Sequence, residues 1–312
     1  MGNQFLDHLR RAPVLIHVVD MAGATDEEGR LVKPGSHDPL ADIEFLSNEV
    51  TMWMVQMLSK DWDKLVRLVD YAKKPLLDVL YDRFSGLGIT QAQISDALVK
   101  LDLDKKPLSK WGGGDDIRGF VSMLRELSKP MVIAANKMDI PPEAEDNYKR
   151  VVKEVGSKYR VIPVSADYEL ALRRAAKANL IKYIPGDDDF EIISSSLTNA
   201  QRDALERIRD FMHRWGGGTG VIKALNTAVF DVLGMIAVYP VADEKKFTDT
   251  EGNVLPDVLL LPRDATVLDL AREVHSEIAE KAVTGVDAIT GKRLGVNSKL
   301  WHRAVVRIYI TK

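Results

Sequence analysis

Residues 130–139 of this 312-residue chain read PMVIAANKMD, a short apolar run followed at once by Asn-Lys-Met-Asp. The run is too short for a buried helix and is typical of a strand that a parallel sheet covers on both faces. Residues 13–20 (PVLIHVVD) and 159–164 (YRVIPV) show the same pattern, and helical or loop sequence separates the three runs. We therefore predict an α/β fold with three buried parallel strands joined by helical crossovers.

A long helical insert separates the first two predicted strands, at about residues 42–128. Within it, residues 42–58 carry apolar side chains at helical spacing, and residues 61–81 are predicted to continue the helix. Thr90 is placed to cap a further helix with its own hydroxyl. The insert is therefore predicted to be almost entirely α-helical.

The pattern changes after the third strand. Residues 169–180 and 198–215 are predicted to form helices that act as a bridge rather than build a new core. From residue 235 onward, short β segments flank one helix at residues 266–282, an order that suits a compact β-grasp domain. We predict a first domain at 1–234 and a β-grasp domain at 235–312.

Composition excludes several classes of protein. With 46% apolar and 29% charged residues, and without an apolar run of the ~20 residues that span a bilayer, the chain is expected to be cytoplasmic with no membrane partner. The absence of cysteine excludes disulfides, Cys-ligated zinc and Fe–S clusters. The net charge of -3 argues against general coating of nucleic acid but leaves room for a local basic patch.

The candidate ligand site lies at the carboxyl edge of the predicted sheet, where open α/β sheets bind ligands. A fixed carboxylate at Asp139 can accept from N1–H and from the exocyclic amine of guanine together, which adenine does not offer. Asn136 can donate to and accept from the base and nearby loops, and the Lys137 stem can cover the ring. Small residues at Ser165 and Ala166 let backbone N–H groups approach the guanine carbonyl oxygen. A surface turn of common turn residues is the alternative interpretation.

These residues resemble known guanine-nucleotide motifs. NKMD followed by SA is similar to the fourth and fifth motifs of the P-loop GTPases. The stretches that look like the archaeal YchF-related branch of the Obg superfamily are residues 2–20, 23–29, 34–46, 170–190 and 225–241. Residues 238–295 look like a TGS domain. The resemblance covers essentially the whole chain. It implies a P-loop GTPase-type parallel sheet with a helical insertion, followed by a TGS domain of β-grasp fold.

The same resemblance implies a function. Members bind GTP or GDP, hydrolyse GTP slowly with Mg²⁺, and are linked to translation through ribosomes or RNA. In YchF proteins that prefer ATP the corresponding motif ends in Glu, so Asp139 indicates guanine.

The chain departs from the family at the phosphate site. No stretch provides the Gly-x₄-Gly-Lys-Ser/Thr loop that cradles phosphates, and the Asp-x-x-Gly switch, which in the family precedes residues 2–11, is also absent. Met1-Gly2 looks like a truncated start, which would reflect a fragment, a misassigned start or a segment carried by a partner chain. We expect negligible GTP turnover by this polypeptide, with Mg²⁺ bound only when the missing N-terminal segment is present.

The last 21 residues suggest a second partner. They contain Trp301, His302 and Tyr309 but no acidic residue, and their basic residues are Lys292, Arg293, Lys299, Arg303, Arg307 and Lys312. Positive charge interleaved with rings is used to bind single-stranded RNA, although a solvated strand face is equally compatible with this pattern. An alternative function is therefore an RNA- or ribosome-binding adaptor that no longer binds nucleotide.

Overall fold

The computed structural model describes residues 9, 10, 12–112 and 114–311. The predicted truncated start at Met1-Gly2 and the basic residue Lys312 lie outside these residues. The chain divides into two compact units, Met1–Ala228 and Val229–Lys312, whereas the sequence placed the boundary near residue 235. In the described part of the chain, no helix combines the length and apolar character needed to cross a bilayer.

The first unit is built on a three-stranded parallel sheet in the order β1-β2-β3. The strands are β1 (Leu15–Asp20), β2 (Met131–Asn136) and β3 (Arg160–Pro163). Because β2 lies between the other two, its first five residues are buried, as its unbroken apolar run requires. The predicted parallel α/β sheet is confirmed, and its register sets Asp20 opposite Asn136 at the carboxyl edge. The prediction that all three strands are buried is wrong for β1 and β3, because they are the outer strands of this sheet and are mostly half-buried, with Val18 of β1 61% exposed.

The insert between β1 and β2 is helical and has a core of its own. Its helices are α1 (Pro39–Ser59), α2 (Trp62–Val66), α3 (Leu76–Phe84), α4 (Gln91–Lys100) and α5 (Asp115–Ser128), with a π-helical turn at Arg67–Tyr71 and short 3₁₀ turns at Ser85–Leu87 and Leu108–Lys110. Phe84, Ile94, Phe120 and Leu124 are fully buried in this core. Thr90 caps α4 through a reciprocal pair of hydrogen bonds with Gln93, as predicted.

The continuous helix predicted at residues 61–81 is wrong. The π-helical turn ends at Tyr71, Lys73 adopts a left-handed conformation with φ 57°, and α3 begins only after Pro75. Proline cannot donate a helical hydrogen bond and disfavours helical geometry in the residue before it, so the apolar spacing is divided between two segments.

The helices after β2 and β3 complete the core of the first unit. They are α6 (Glu143–Val155), α7 (Ala166–Lys177), α8 (Asn199–Arg214) and α9 (Val221–Asn226), with a short pair of strands β4 (Ile181–Lys182) and β5 (Glu191–Ile192). Leu172 of α7 and Ile208, Phe211 and Met212 of α8 are buried in the same cluster as Ile133. These helices build no new core, as predicted, but they are more than a bridge, because their apolar stripes pack into the core of the first unit.

The second unit is a five-stranded sheet with helices on one face, in the order β7-β6-β10-β8-β9. Its elements are β6 (Met235–Val241), β7 (Leu259–Pro262), α10 (Val267–Val274), α11 (Ser276–Lys281), β8 (Ala282–Asp287), β9 (Arg293–Gly295) and β10 (Ala304–Ile310). The central strands β6 and β10 run parallel, and Leu270 of α10 packs against Val238 and Val306. This is the predicted β-grasp arrangement.

The single helix predicted at residues 266–282 is interrupted. His275 has extended backbone geometry, and its Nδ1 accepts from the Glu277 N–H 3.2 Å away, which caps α11. The extended backbone of His275 thereby ends one helix, and its side chain starts the next.

Candidate functional site

The loops after β2 and β3 are tied together by the residues that the sequence singled out. The side-chain Oδ1 of Asn136, the last residue of β2, accepts from the Ala166 N–H at 3.0 Å. Two residues later, the Met138 N–H donates to the Val164 carbonyl at 3.2 Å. The Asn136 amide therefore acts as a brace across the carboxyl edge of the sheet, directed at the loop of Ser165 and Ala166.

Ser165 is fully buried and is fixed at both its side chain and its backbone. Its Oγ accepts from the Tyr168 N–H at 3.2 Å and caps α7, and its own N–H donates to the Thr219 carbonyl at 2.9 Å. Ala166, by contrast, is exposed. The backbone N–H groups of both residues are thus engaged within the protein. In the described residues, the Asp167 N–H in the first turn of α7 has no protein acceptor.

Lys137 is held in place by an aspartate that the sequence analysis did not single out. Its backbone is left-handed, with φ 63°, and its Nζ donates to Asp20 Oδ2 at 2.8 Å. The Asp20 carboxylate also accepts from the N–H groups of Ala22 and Ala24 and from the Thr25 hydroxyl. The sequence did contain a feature that could have identified Asp20: β1 ends in this aspartate, and the neighbouring parallel strand β2 ends at the same level in Asn136.

The Asp20 side chain is only 10% exposed, so its charge depends on these contacts. Burial acts to raise its pKa, but the hydrogen bonds from Lys137 and Thr25, the Lys137 charge and the Ala24 N–H together hold that pKa below its usual value. Asp20 is therefore a carboxylate at neutral pH. The Lys137 stem is drawn from the end of β2 towards the end of β1.

Asp139 presents a carboxylate that is available to a ligand. It is half-buried, and within the described part of the chain no hydrogen bond or ion pair engages it. Burial raises the pKa of Tyr168, and the nearby Asp139 charge raises it further, which places the carboxylate close to the first turn of α7. The structure thus brings Asn136, Asp139 and Ala166 to the same edge of the sheet, with Lys137 anchored beside them.

The GTPase resemblance also implies Mg²⁺ beside the nucleotide phosphates. Among the residues that the structure describes, no three His, Asp or Glu side chains converge in a way that could hold a metal ion.

The basic residues from position 292 onward differ in how exposed their side chains are. Lys292, Arg293, Lys299 and Arg303 are exposed, and Trp301 beside them is 42% exposed. These five residues form what we call the basic rim. They lie in the β8–β9 and β9–β10 connections or, for Arg293, at the start of β9.

Arg307 and Tyr309 on β10 are partly occupied by the protein itself. The Arg307 guanidinium lies 4.5 Å from the centre of the Tyr309 ring. The Tyr309 hydroxyl donates to Glu244 at 3.0 Å. His302 is also engaged, since its Nδ1 accepts from the Ala237 N–H and its ring centre lies 4.6 Å from that of Phe230. Among the described rings of this segment, Trp301 is therefore the one left open to an incoming base.

Family models match both units. Residues 134–243 match the model described as Obg-like GTPase YGR210-like, G4 motif-containing domain. Residues 247–310 match the TGS domain model. The first match begins within β2 and includes every residue of the candidate base site.

Relatives with similar sequences are GTP-binding proteins by name. A GTP-binding protein of Methanocaldococcus jannaschii is 46% identical over 99% of this chain and 76% of its own length. A GTP-binding protein of Schizosaccharomyces pombe is 33% identical over 94% of this chain and 71% of its own length.

Solved structures share the fold. The crystal structure of a GTP-binding protein from Pyrococcus horikoshii superposes with a TM-score of 0.76 at 39% identity, covering 98% of this chain and 81% of the other. The Schizosaccharomyces pombe YchF GTPase superposes with a TM-score of 0.56 over 99% of this chain and 75% of its own, and at 16% identity it supports the fold alone.

Proposed function

Because the chain belongs to the Obg/YchF-like family of GTP-binding proteins, we propose that its first unit binds guanine nucleotides at the loops that follow β2 and β3. The proposal rests on two neighbouring features: a loop held in place by a hydrogen bond from its backbone to Asn136, and the Asp139 carboxylate, which no described residue engages. Asn136 fixes the Ala166 loop, and Asp139 stands at the same edge without a protein partner among the described residues.

Each residue has a distinct part in base recognition. Asp139 accepts from N1–H and the exocyclic amine of guanine, a pair of donors that adenine lacks. The Lys137 stem covers one face of the ring while its ammonium stays on Asp20. The guanine carbonyl oxygen accepts a hydrogen bond from the Ala166 N–H, which also donates to Asn136 Oδ1 and is oriented by it. The N–H of the next residue, Asp167, is a second donor for the same oxygen. Ser165 stabilises this loop through its hydrogen bonds with Tyr168 and Thr219.

We further propose that this polypeptide alone hydrolyses GTP negligibly. When bound, GTP supplies a phosphoanhydride whose cleavage depends on electrostatic stabilisation of the transferring phosphoryl group. The 312 residues contain no Gly-x₄-Gly-Lys-Ser/Thr loop to provide it. Base recognition and phosphoryl transfer are thus separable properties, and only the first is assigned to the residues described.

Binding of a fluorescent GDP analogue to the purified chain tests the base assignment. Asp139→Asn should weaken guanine binding and shift preference towards xanthine nucleotides, whose C2 carbonyl accepts from the asparagine amide. Asp146→Asn, on the exposed face of α6, is the matched control and should bind like the wild type. Equal absence of binding in the wild type and Asp139→Asn would refute the assignment and favour an adaptor without nucleotide.

We also propose that the basic rim of the second unit contacts single-stranded RNA in a translation-associated role. Its cations supply phosphate contacts, and Trp301 supplies a stacking surface. Binding of a fluorescent single-stranded RNA should weaken on Trp301→Ala without changing its salt dependence. Arg303→Ala should lower the salt slope by about 0.7.

Arg272→Ala is the control for charge, since Arg272 lies on α10 and pairs with Asp269. RNA binding that responds equally to Arg272→Ala and Arg303→Ala would show general charge attraction instead of a defined site.

A further inference from the structure

A glycine-rich loop after α8 presses against the end of β3. Gly216, Gly217, Gly218 and Gly220 all have left-handed backbones, with φ of 81°, 88°, 71° and 83°. At Gly220 a side-chain carbon would lie 1.9 Å from the Pro163 carbonyl oxygen, so only glycine fits this approach. The helix predicted from the sequence at residues 198–215 stops just before this segment. The structure shows that it packs beside the loop of Ser165 and Ala166.

Thr219 connects this glycine-rich loop to the base loop. Its carbonyl accepts from the Ser165 N–H at 2.9 Å, and its hydroxyl donates to Glu169 Oε2 at 2.5 Å. Thr219 and Glu169 are 2% and 5% exposed, so water does not compete effectively for either contact. A single residue therefore holds the backbone of the base loop on one side and a buried carboxylate on the other.

Glu169 is held by two further donors. Its carboxylate accepts from the Tyr183 hydroxyl at 2.8 Å and from Arg173 Nε at 2.6 Å. Burial acts to raise the Glu169 pKa, but the hydrogen bonds from Thr219, Arg173 and Tyr183 hold that pKa below its usual value. Burial and the hydrogen bond to Glu169 raise the pKa of Tyr183 to about 12. The buried charge is thus satisfied and geometrically fixed.

We propose that Thr219 and Glu169 are positioning residues for guanine recognition. Glu169 fixes the Thr219 hydroxyl, and this sets the direction of the Thr219 carbonyl that receives the Ser165 N–H. The orientation of Ser165 in turn sets where the next N–H, that of Ala166, points. The inference rests on the proposed function, because it assigns an effect on a base that binds at that loop.

The test compares Thr219→Val, which removes the hydroxyl at nearly constant shape, with Thr219→Ser, which keeps it. Thr219→Val should weaken GDP binding about tenfold, which corresponds to roughly 1.4 kcal/mol. Thr219→Ser should rescue most of this affinity. Hydrogen exchange of the segment that contains Ser165 should accelerate in Thr219→Val and stay near the wild-type rate in Thr219→Ser.

Tyr183→Phe separates positioning from general stability. It removes a different donor from the same Glu169 carboxylate and leaves the Thr219 contact in place. We expect a similar drop in melting temperature for Tyr183→Phe and Thr219→Val, but a clear loss of GDP affinity only for Thr219→Val.

Three outcomes overturn the inference. If Tyr183→Phe and Thr219→Val lose GDP affinity in proportion to their loss of melting temperature, the role of Thr219 is structural only. Unchanged affinity in Thr219→Val, with a wild type that binds GDP, would refute the positioning role and leave the base site intact. A wild type that does not bind GDP would refute the base site and, with it, this inference.

Discussion

Replacing Asp20 by asparagine should lower the free energy of unfolding of the first unit by about 2 kcal/mol. In the wild type, Oδ2 accepts from the Ala24 N–H, the Thr25 hydroxyl and Lys137, whereas Oδ1 accepts from the Ala22 N–H. An asparagine can keep the three hydrogen bonds made at Oδ2 if its oxygen takes that position. Its NH2 group then faces the Ala22 N–H, and the hydrogen bond between Ala22 and Oδ1 is lost. One backbone hydrogen bond costs ~1 kcal/mol, and the lost charge of the Lys137 contact costs roughly as much again.

Urea unfolding at neutral pH, followed by tryptophan emission, measures this change, since Trp53, Trp62, Trp111 and Trp215 lie in the first unit. The stability gained from the Asp20 charge is present above the ordinary carboxyl pKa of 3.8 and is lost as the pH falls through the lower folded-state value. The difference between wild type and variant should therefore shrink in acid.

A double-mutant cycle of Asp20→Asn with Lys137→Met isolates the contact between the two side chains. We expect a coupling of about 1 kcal/mol. Strict additivity, or an Asp20→Asn variant within ~0.5 kcal/mol of the wild type, would refute the inference that Asp20 anchors Lys137.

Three other perturbations test separate parts of the structure. Phe120→Ala should cost about 3–5 kcal/mol in chemical unfolding, because the ring is fully buried in the core of the insert. The hydrogen bond to Asp42 raises the pKa of His37, so the stability lost in His37→Gln should be largest below the ordinary histidine pKa and should vanish as thermal melts are taken through higher pH. Thr266→Ala should lower the stability of the second unit by ~1 kcal/mol, because its hydroxyl and N–H form a capping pair with Asp269.

Local sequence patterns were enough to predict the sheet and much of the helical structure. The three strands could be recognised because each is a short apolar run, although only β2 is covered on both faces. Thr90 could be assigned as a helix cap because its partner Gln93 lies only three residues away. The predicted base-site residues Asn136 and Ala166 meet in the structure because parallel strands bring their carboxyl ends to one edge.

The contacts that support the site were not predictable in this way, because they join residues that are distant in the chain. Asp20 meets Lys137 across the whole insert, and Glu169 meets Thr219, which lies 50 residues later in the chain. A lone acidic residue in a helix is usually solvated, so nothing local marks Glu169 as buried. The helices predicted at residues 61–81 and 266–282 were wrong for a local reason, not a long-range one. Apolar spacing continued through Pro75 and His275, where the backbone geometry of a single residue ended the helix.

The placement of the insert has a consequence for the order of folding. Leu15 pairs with Met131 in the register of β1 and β2, so these adjacent strands must close a connection of 110 residues, 21–130. An unstructured connection of that length would carry a large loop-closure entropy, but a connection that has already folded around its own core is effectively much shorter. The helical segment should thus become protected from hydrogen exchange early during refolding. The strand ends that carry Asn136 and Asp20 should be among the last parts to order and among the first to open.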